Sequence, residues 1–358
     1  MSTAVQSAPE RPAPQSAVRS RRRLPRLAPL GLYLAGIALG AGLSALTGFG
    51  VVSTVIYGVL LGTLAVYVVT RAVEGPRKAT DRLVTCLVTT AFGLAMVPLV
   101  SLVWTVLDNG LPRLDGQFFT NSMFRVVGEG GGAYHAILGT LIITALATLI
   151  SVPIGLMTAI YLVEYATGRL KRSITFFVDV MTGIPSIVAG LFAFALFTLL
   201  FGNDVRMGVM GAVALSVLMI PVVVRSCEEV LKLVPNELRE ASYALGVPKW
   251  RTVVKVVLPT AIAGLGTGIT LSVARVVGET APLLVTVGLI TGTNLNPFDG
   301  RMATLPVFAY YQLTQPGTAT QAFLDRAWTA ALVLIILVMA LNVVARLISR
   351  FFAPSTGR

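Results

Sequence analysis

Histidine occurs once in these 358 residues and cysteine twice, and only 12% of the side chains are charged. A single histidine, His135, with no cysteine or carboxylate cluster around it gives metal-assisted or nucleophilic chemistry little to work with. Neither H-E-x-x-H nor G-x-S-x-G occurs, so no enzyme activity is expected of the chain itself. Cys86 and Cys227 lie in or beside apolar runs and read as packing residues, not as a disulfide framework or a metal site. No metal and no cofactor is expected. There is no G-x-x-x-x-G-K-[ST] phosphate loop, so any ATP must be handled by another polypeptide. Acidic residues are few, 16 against 28 Lys and Arg, for a net charge of +12. Such an excess would normally raise nucleic acid as a partner. Here the basic residues sit between apolar runs, not on one interleaved face, and no nucleic acid is expected.

What the chain has in quantity is apolar length. It is 55% hydrophobic, with a mean hydropathy of +0.82, which places it among membrane proteins with lipid as its surroundings. A membrane helix needs about 20 mostly apolar residues. Eight stretches qualify: 27–47, 51–73, 83–107, 135–163, 174–201, 208–227, 253–277 and 327–347. The 28 Lys and Arg fall 22 to 5 across the two sets of connectors, with Arg275 inside a span. The positive-inside bias then predicts an even number of spans with both termini cytoplasmic. The first apolar run is longer than a signal-peptide core and leads directly into a second, so it reads as a span. Small-residue pairs at G-x-x-x-G spacing, Gly36/Gly40, Gly58/Gly62 and Gly264/Gly268, would let helix backbones approach closely.

One connector concentrates charge: NELREASYALGVPKWRTVVKVVLP, from Asn236 to Pro259. Asn236 suits a helix cap, with Glu237 and Glu240 in the first turn where the backbone dipole favours negative charge. Gly246 suits a left-handed terminating residue, and Pro248 prevents the helix from resuming in register. Trp250 reads as an interfacial anchor, with Lys249, Arg251 and Lys255 facing headgroups. The expected element is a short helix of two to three turns between two spans.

The spacing Glu240-Ala241-Ser242, three residues, Gly246, nine residues, Val256, one residue, Leu258-Pro259 resembles the EAA loop of ABC importer permeases. Ser242 and Val256 depart from the family's Ala and Ile while keeping similar volume. The resemblance implies that Glu240, Ala241, Ser242, Gly246, Leu258 and Pro259 couple this chain to a separate ATPase subunit.

Arg275 and Glu279 cannot be topology signals. Four residues apart, they would share one face of an unbroken helix, about 16 residues or roughly 24 Å beyond Pro259 at helical rise. Ionisable groups at that depth face a bundle interior or a wet path. Gly278 and Pro282 can break the helix there, and a guanidinium fork matches an oxyanion. On residues alone, a substrate path and a structural Arg–Glu pair both stay open. Pro185, in GIPSIVAGLF (Gly183–Phe192), is either a hinge or a static kink.

A second resemblance bears on these sites. GETAPLLVTVG (Gly278–Gly288), GIPSIVAGLF and GTLIITALATLISVPIGLMTAIYLVEY (Gly139–Tyr165) resemble phosphate-specific ABC importers, nearer the second of their two related permease subunits. The likeness covers about residues 134–346. It implies an all-α integral membrane protein with a type-1 (MetI-like) permease core and two extra N-terminal helices. It also implies inorganic phosphate as substrate, with Arg275, Glu279 and Thr280 on the path and Pro185, Gly278 and Pro282 as hinges. The implied partners are a second permease, two copies of an ATPase and an extracytoplasmic phosphate-binding protein. Another oxyanion, such as sulfate or molybdate, is the alternative.

The remaining expectations are local. The chain divides into a disordered basic arm (1–26), an added membrane hairpin (27–82), a first core helix with its outer loop (83–133), the permease domain (134–346, with the EAA loop at 236–259) and a cytoplasmic tail (347–358). Asp179 is expected to cap a helix or pair with Arg172. His135 is expected at the interface, GEGGGAY as a flexible loop, and 293–325 along the membrane surface, where it could receive a solute-binding protein.

Overall fold

The computed structural model describes residues 24–25, 27–47 and 50–352. The arm expected over 1–26 lies outside these except for Leu24 and Pro25, as do residues 353–358 of the expected tail. All regular structure among the described residues is helical. Seven helices are long and apolar enough to cross a membrane, and a bent pair supplies an eighth candidate.

Two units divide the chain between Leu102 and Val103. The first holds α1 (Ala28–Thr47), α2 (Val51–Val73) and most of α3 (Pro76–Gly110). In it α1 and α2 form a hairpin whose glycines meet. A β-carbon on Gly36 would lie 2.3 Å from the Gly62 Cα, and one on Gly40 would lie 2.4 Å from the Gly58 nitrogen. No larger residue fits at that separation. Ser44 and Ser53 hydrogen-bond across the turn at 2.8 Å. Tyr33 Oη and Thr90 Oγ1, also 2.8 Å apart, tie α1 to α3.

The second unit continues with α4 (Gly116–Thr120), α5 (Tyr134–Ile160), α6 (Gly168–Thr182), α7 (Ser186–Phe201) and α8 (Gly208–Lys232). After these come α9 (Asn236–Ala244), α10 (Lys249–Thr252), α11 (Leu258–Val277), α12 (Ala281–Thr286), α13 (Leu305–Thr314) and α14 (Thr320–Phe352). Its centre is α8 against α5 and α11, with Ile143, Ala147, Leu215, Met219 and Val223 fully buried. Lipid tails are as apolar as leucine, so close van der Waals packing has to hold such helices together. Glycine makes the approach possible: a β-carbon on Gly155 would fall 2.6 Å from Val223, and one on Gly264 the same distance from Val230.

The structure corrects four expectations. The span drawn over 174–201 is two helices, α6 and α7, meeting at 104°. Gly183 ends α6 and Pro185 sits in the extended conformation before α7, outside either helix. Proline restricts its predecessor and lacks an amide donor, so the chain turns there instead of kinking. His135 is buried at 3% exposure, edge-on to Phe308 with centroids 5.5 Å apart. Within the segment expected along the membrane surface, Leu305, Val307 and Phe308 of α13 are buried. The glycine loop is clamped: Arg326, 1% exposed, donates to the carbonyls of Gly128 (2.8 Å) and Gly130 (3.0 Å). Arg113 donates to the carbonyl of Gly131 at 2.8 Å.

Candidate functional site

Two places gather the residues singled out by the sequence, one at the end of α8 and one at the end of α11. At the first, α9 begins directly after Pro235, which holds the extended conformation a proline imposes. Asn236 is therefore the first helical residue and not the cap; its Oδ1 accepts from Arg239 at 3.2 Å. The helix ends as expected on Gly246, at φ +73°. The Gly246 amide donates to the Tyr243 carbonyl (2.9 Å) and the Val247 amide to the Ser242 carbonyl (3.2 Å), a Schellman closure. Pro248 then starts α10, which runs through a π-turn (Val253–Val257) into α11. Leu258 is half-buried, and Pro259 is exposed near the start of α11.

Ser242, the departure from the family's small third residue, is buried and shares a 2.8 Å hydrogen bond with Thr252. It stitches the end of α9 to α10. Glu240 and Ala241 face outward. Leu233 and Leu245 stand 80% and 83% exposed beside them. Trp250 is exposed, with Arg251 stacked 5.4 Å from its ring centre.

Ion pairs that sequence reasoning missed join α9 to the end of α5 and brace the last turns of α8. Arg239 donates through Nε (3.0 Å) and Nη2 (2.9 Å) to one oxygen of Glu164. It also donates to the carbonyls of Val234 (2.6 Å) and Leu231 (3.0 Å) at the exit from α8. Glu164 belongs to the π-turn Tyr161–Tyr165 that ends α5. Lys249 lies 5.1 Å from the ring centre of the next residue, Tyr165. On α8 the buried Glu228 accepts from Arg225 and Lys232, each at 2.8 Å. Arg225 also pairs with Asp179, whose partner is thus not Arg172. An acidic residue inside an apolar run (Glu164) and another on a mostly buried helix (Glu228) were the available signals.

At the second place the helix is broken. α11 ends at Val277, and Gly278 and Glu279 carry the chain to Thr280, which precedes α12. Glu279 closes the turn with its amide on the Val276 carbonyl at 3.1 Å. The break removes the common helical face assumed for Arg275 and Glu279, and no ion pair joins them. Arg275 is exposed in the last turn of α11; Glu279 and Thr280 are half-buried. Gly278 has φ −88°, which any residue could adopt. Pro282 is buried, and a β-carbon on Gly190 of α7 would lie 2.6 Å from its Cα. Arg206 was read only as a topology charge. It hydrogen-bonds the Val285 carbonyl and lies 5.5 Å from the ring centre of Phe194, holding the last turn of α12 where the helix dipole is negative. A cavity of about 460 Å³ includes Thr280, Leu284, Tyr310 and Trp328 but neither Arg275 nor Glu279. Its walls are mainly apolar, which suits hydrocarbon better than a hydrated anion.

Residues 151–358 match the family described as "binding-protein-dependent transport system inner membrane component". A protein of Mycobacterium tuberculosis described as phosphate transport system permease protein PstA 1 is 50% identical over 294 residues, covering 81% of this chain and 94% of its own. The phosphate transport system permease protein PstA of Pasteurella multocida is 36% identical over 276 residues, covering 76% of this chain and 95% of its own. A crystal structure of a bacterial alginate ABC transporter, in complex with an alginate pentasaccharide-bound periplasmic protein, is similar with a TM-score of 0.55 at 13% identity. That match covers 77% of this chain and 96% of the other, and is a likeness of fold alone.

Proposed function

The chain belongs to the PstA family of phosphate transport system permease proteins, and from that premise we propose how its two sites divide the work. It is a multi-pass membrane permease subunit of a phosphate ABC importer. It sits in the bacterial cytoplasmic membrane with both termini in the cytoplasm. There it works beside a second, PstC-like permease, two copies of a PstB-like ATPase that hydrolyses ATP, and a PstS-like phosphate-binding protein outside. Residues 134–346 form the permease domain, preceded by the added hairpin 27–82.

The observation that carries this reading is α9: a short polar helix braced from below, with Glu240, Ala241 and Leu245 turned outward. Such an element is stiff enough to transmit a push and bare enough to meet a partner. ATP binding closes the ATPase pair, α9 moves with it, and the spans open outward; hydrolysis resets them. Phosphate passes Arg275, Glu279 and Thr280. A guanidinium left facing lipid costs about 2.5–3.5 kcal/mol on insertion scales. The exposed Arg275 is therefore covered by the second permease, and the path runs between the two chains. Pro185, Gly278 and Pro282 are the places where that motion bends the chain.

Purification of the chain with its ATPase, followed by ATP-dependent uptake of labelled phosphate into proteoliposomes, tests the reading. Phosphate should enter, and excess sulfate or molybdate should not compete. A chain that associates with no ATPase, or that prefers sulfate, would overturn it.

A further inference from the structure

Arg239 is the most heavily used side chain at the α9 end. It makes five hydrogen bonds: two to Glu164, two to the carbonyls of Leu231 and Val234, and one to Asn236 within its own helix. Glu164 is buried and Arg239 is largely covered, with side-chain exposures of 4% and 12%. Removing one member of such a pair strands the other charge, which makes the contact all-or-none instead of graded. The residues it joins come from three elements: α9, the end of α8, and the π-turn that closes α5. π-turns are uncommon and recur at functional sites because they redirect the side chains around them. This one aims Glu164 at Arg239 and puts Tyr165 beside Lys249, so a single turn grips the connector on both sides of Gly246.

We propose that Glu164 and Arg239 are the positioning pair that locks α9 to α5 and α8, so that a push on α9 displaces both central helices together. The inference rests on the permease reading above and adds to it the residues through which motion leaves the connector. Neither residue touches the ATPase or the substrate. Without the pair, α9 still presents its outward face and still meets the ATPase. It then rocks on its own base, and hydrolysis proceeds without matching transport.

The test uses the full complex in proteoliposomes and reads phosphate taken up per ATP hydrolysed. Glu164→Gln and Arg239→Gln should each retain the ATPase yet lower that ratio by roughly tenfold, within the usual range for coupling between two sites. Arg239→Lys is the milder variant: it keeps the charge but cannot reach Glu164 and two carbonyls together. If the glutamine variants fail to assemble, a lowered ratio in Arg239→Lys supports the proposal. A wild-type ratio in either glutamine variant that assembles, or in Arg239→Lys where neither assembles, overturns it. A wild-type complex that hydrolyses ATP without moving phosphate would instead overturn the permease reading, and this inference with it.

Discussion

The two ends of α11 treat charge in opposite ways. Toward its start, ion pairs knit α5, α6, α8 and α9 together: Glu164 to Arg239, Glu228 to Arg225 and Lys232, and Asp179 to Arg225. At its finish, Arg275 and Glu279 lie within one turn of the break and remain unpaired. The first arrangement is complete within this chain and makes a rigid base. The second is incomplete, because a guanidinium without a counter-ion at membrane depth needs water, an anion or another protein. On the proposed function, the end that carries force satisfies its own charges, and the end that meets a passing ion leaves them open.

The comparison can be broken most severely at Arg275. Arg275→Gln should abolish phosphate uptake while leaving the complex assembled, as seen by uptake assay and size-exclusion chromatography. Normal uptake would remove the open charge from the mechanism. Next in size is Gly246→Asp. Its left-handed backbone costs a side chain about 1–2 kcal/mol, and the new carboxylate sits beside the outward face of α9, so the ATPase should be lost on purification. Gly190→Val should follow: a β-carbon 2.6 Å from Pro282 pushes α7 and α12 apart. Overpacking of that kind costs about 1–3 kcal/mol, which a lowered unfolding temperature in detergent would register. The smallest effect is expected for Ser242→Ala, which restores the family's small residue and removes one hydrogen bond worth about 0.5–1.5 kcal/mol. Its uptake should stay near normal, sharpening the contrast with the ion pairs below it.

Much of the fold was legible because membrane helices announce themselves by apolar length, and seven of the eight predicted stretches correspond to single long helices. The eighth was misread because 174–201 is apolar on average while its parts differ. Arg169, Lys171, Arg172 and Asp179 belong to a helix with one polar face, and the fully apolar run begins only after Pro185. The α9 helix and its glycine stop were legible because they depend on neighbours in sequence. Pairings were not: Glu164 and Arg239 are 75 positions apart, and nothing in one sequence says which distant charge a glutamate at the end of a span will meet. Arg326 is a second case. It counted as a loop charge, whereas its partners are carbonyls 196 and 198 positions away. The expected Arg275–Glu279 face failed on a local matter, the three residues that interrupt the helix between Val277 and Ala281.

The elbow between α6 and α7 has a consequence for the lipid. With 16 residues, α7 is about 24 Å long, less than the roughly 30 Å of a bilayer's hydrocarbon layer, and it counts as a span only together with α6. On the proposed reading the missing depth is made up by α6, whose polar side then meets headgroups, or by local thinning of the bilayer.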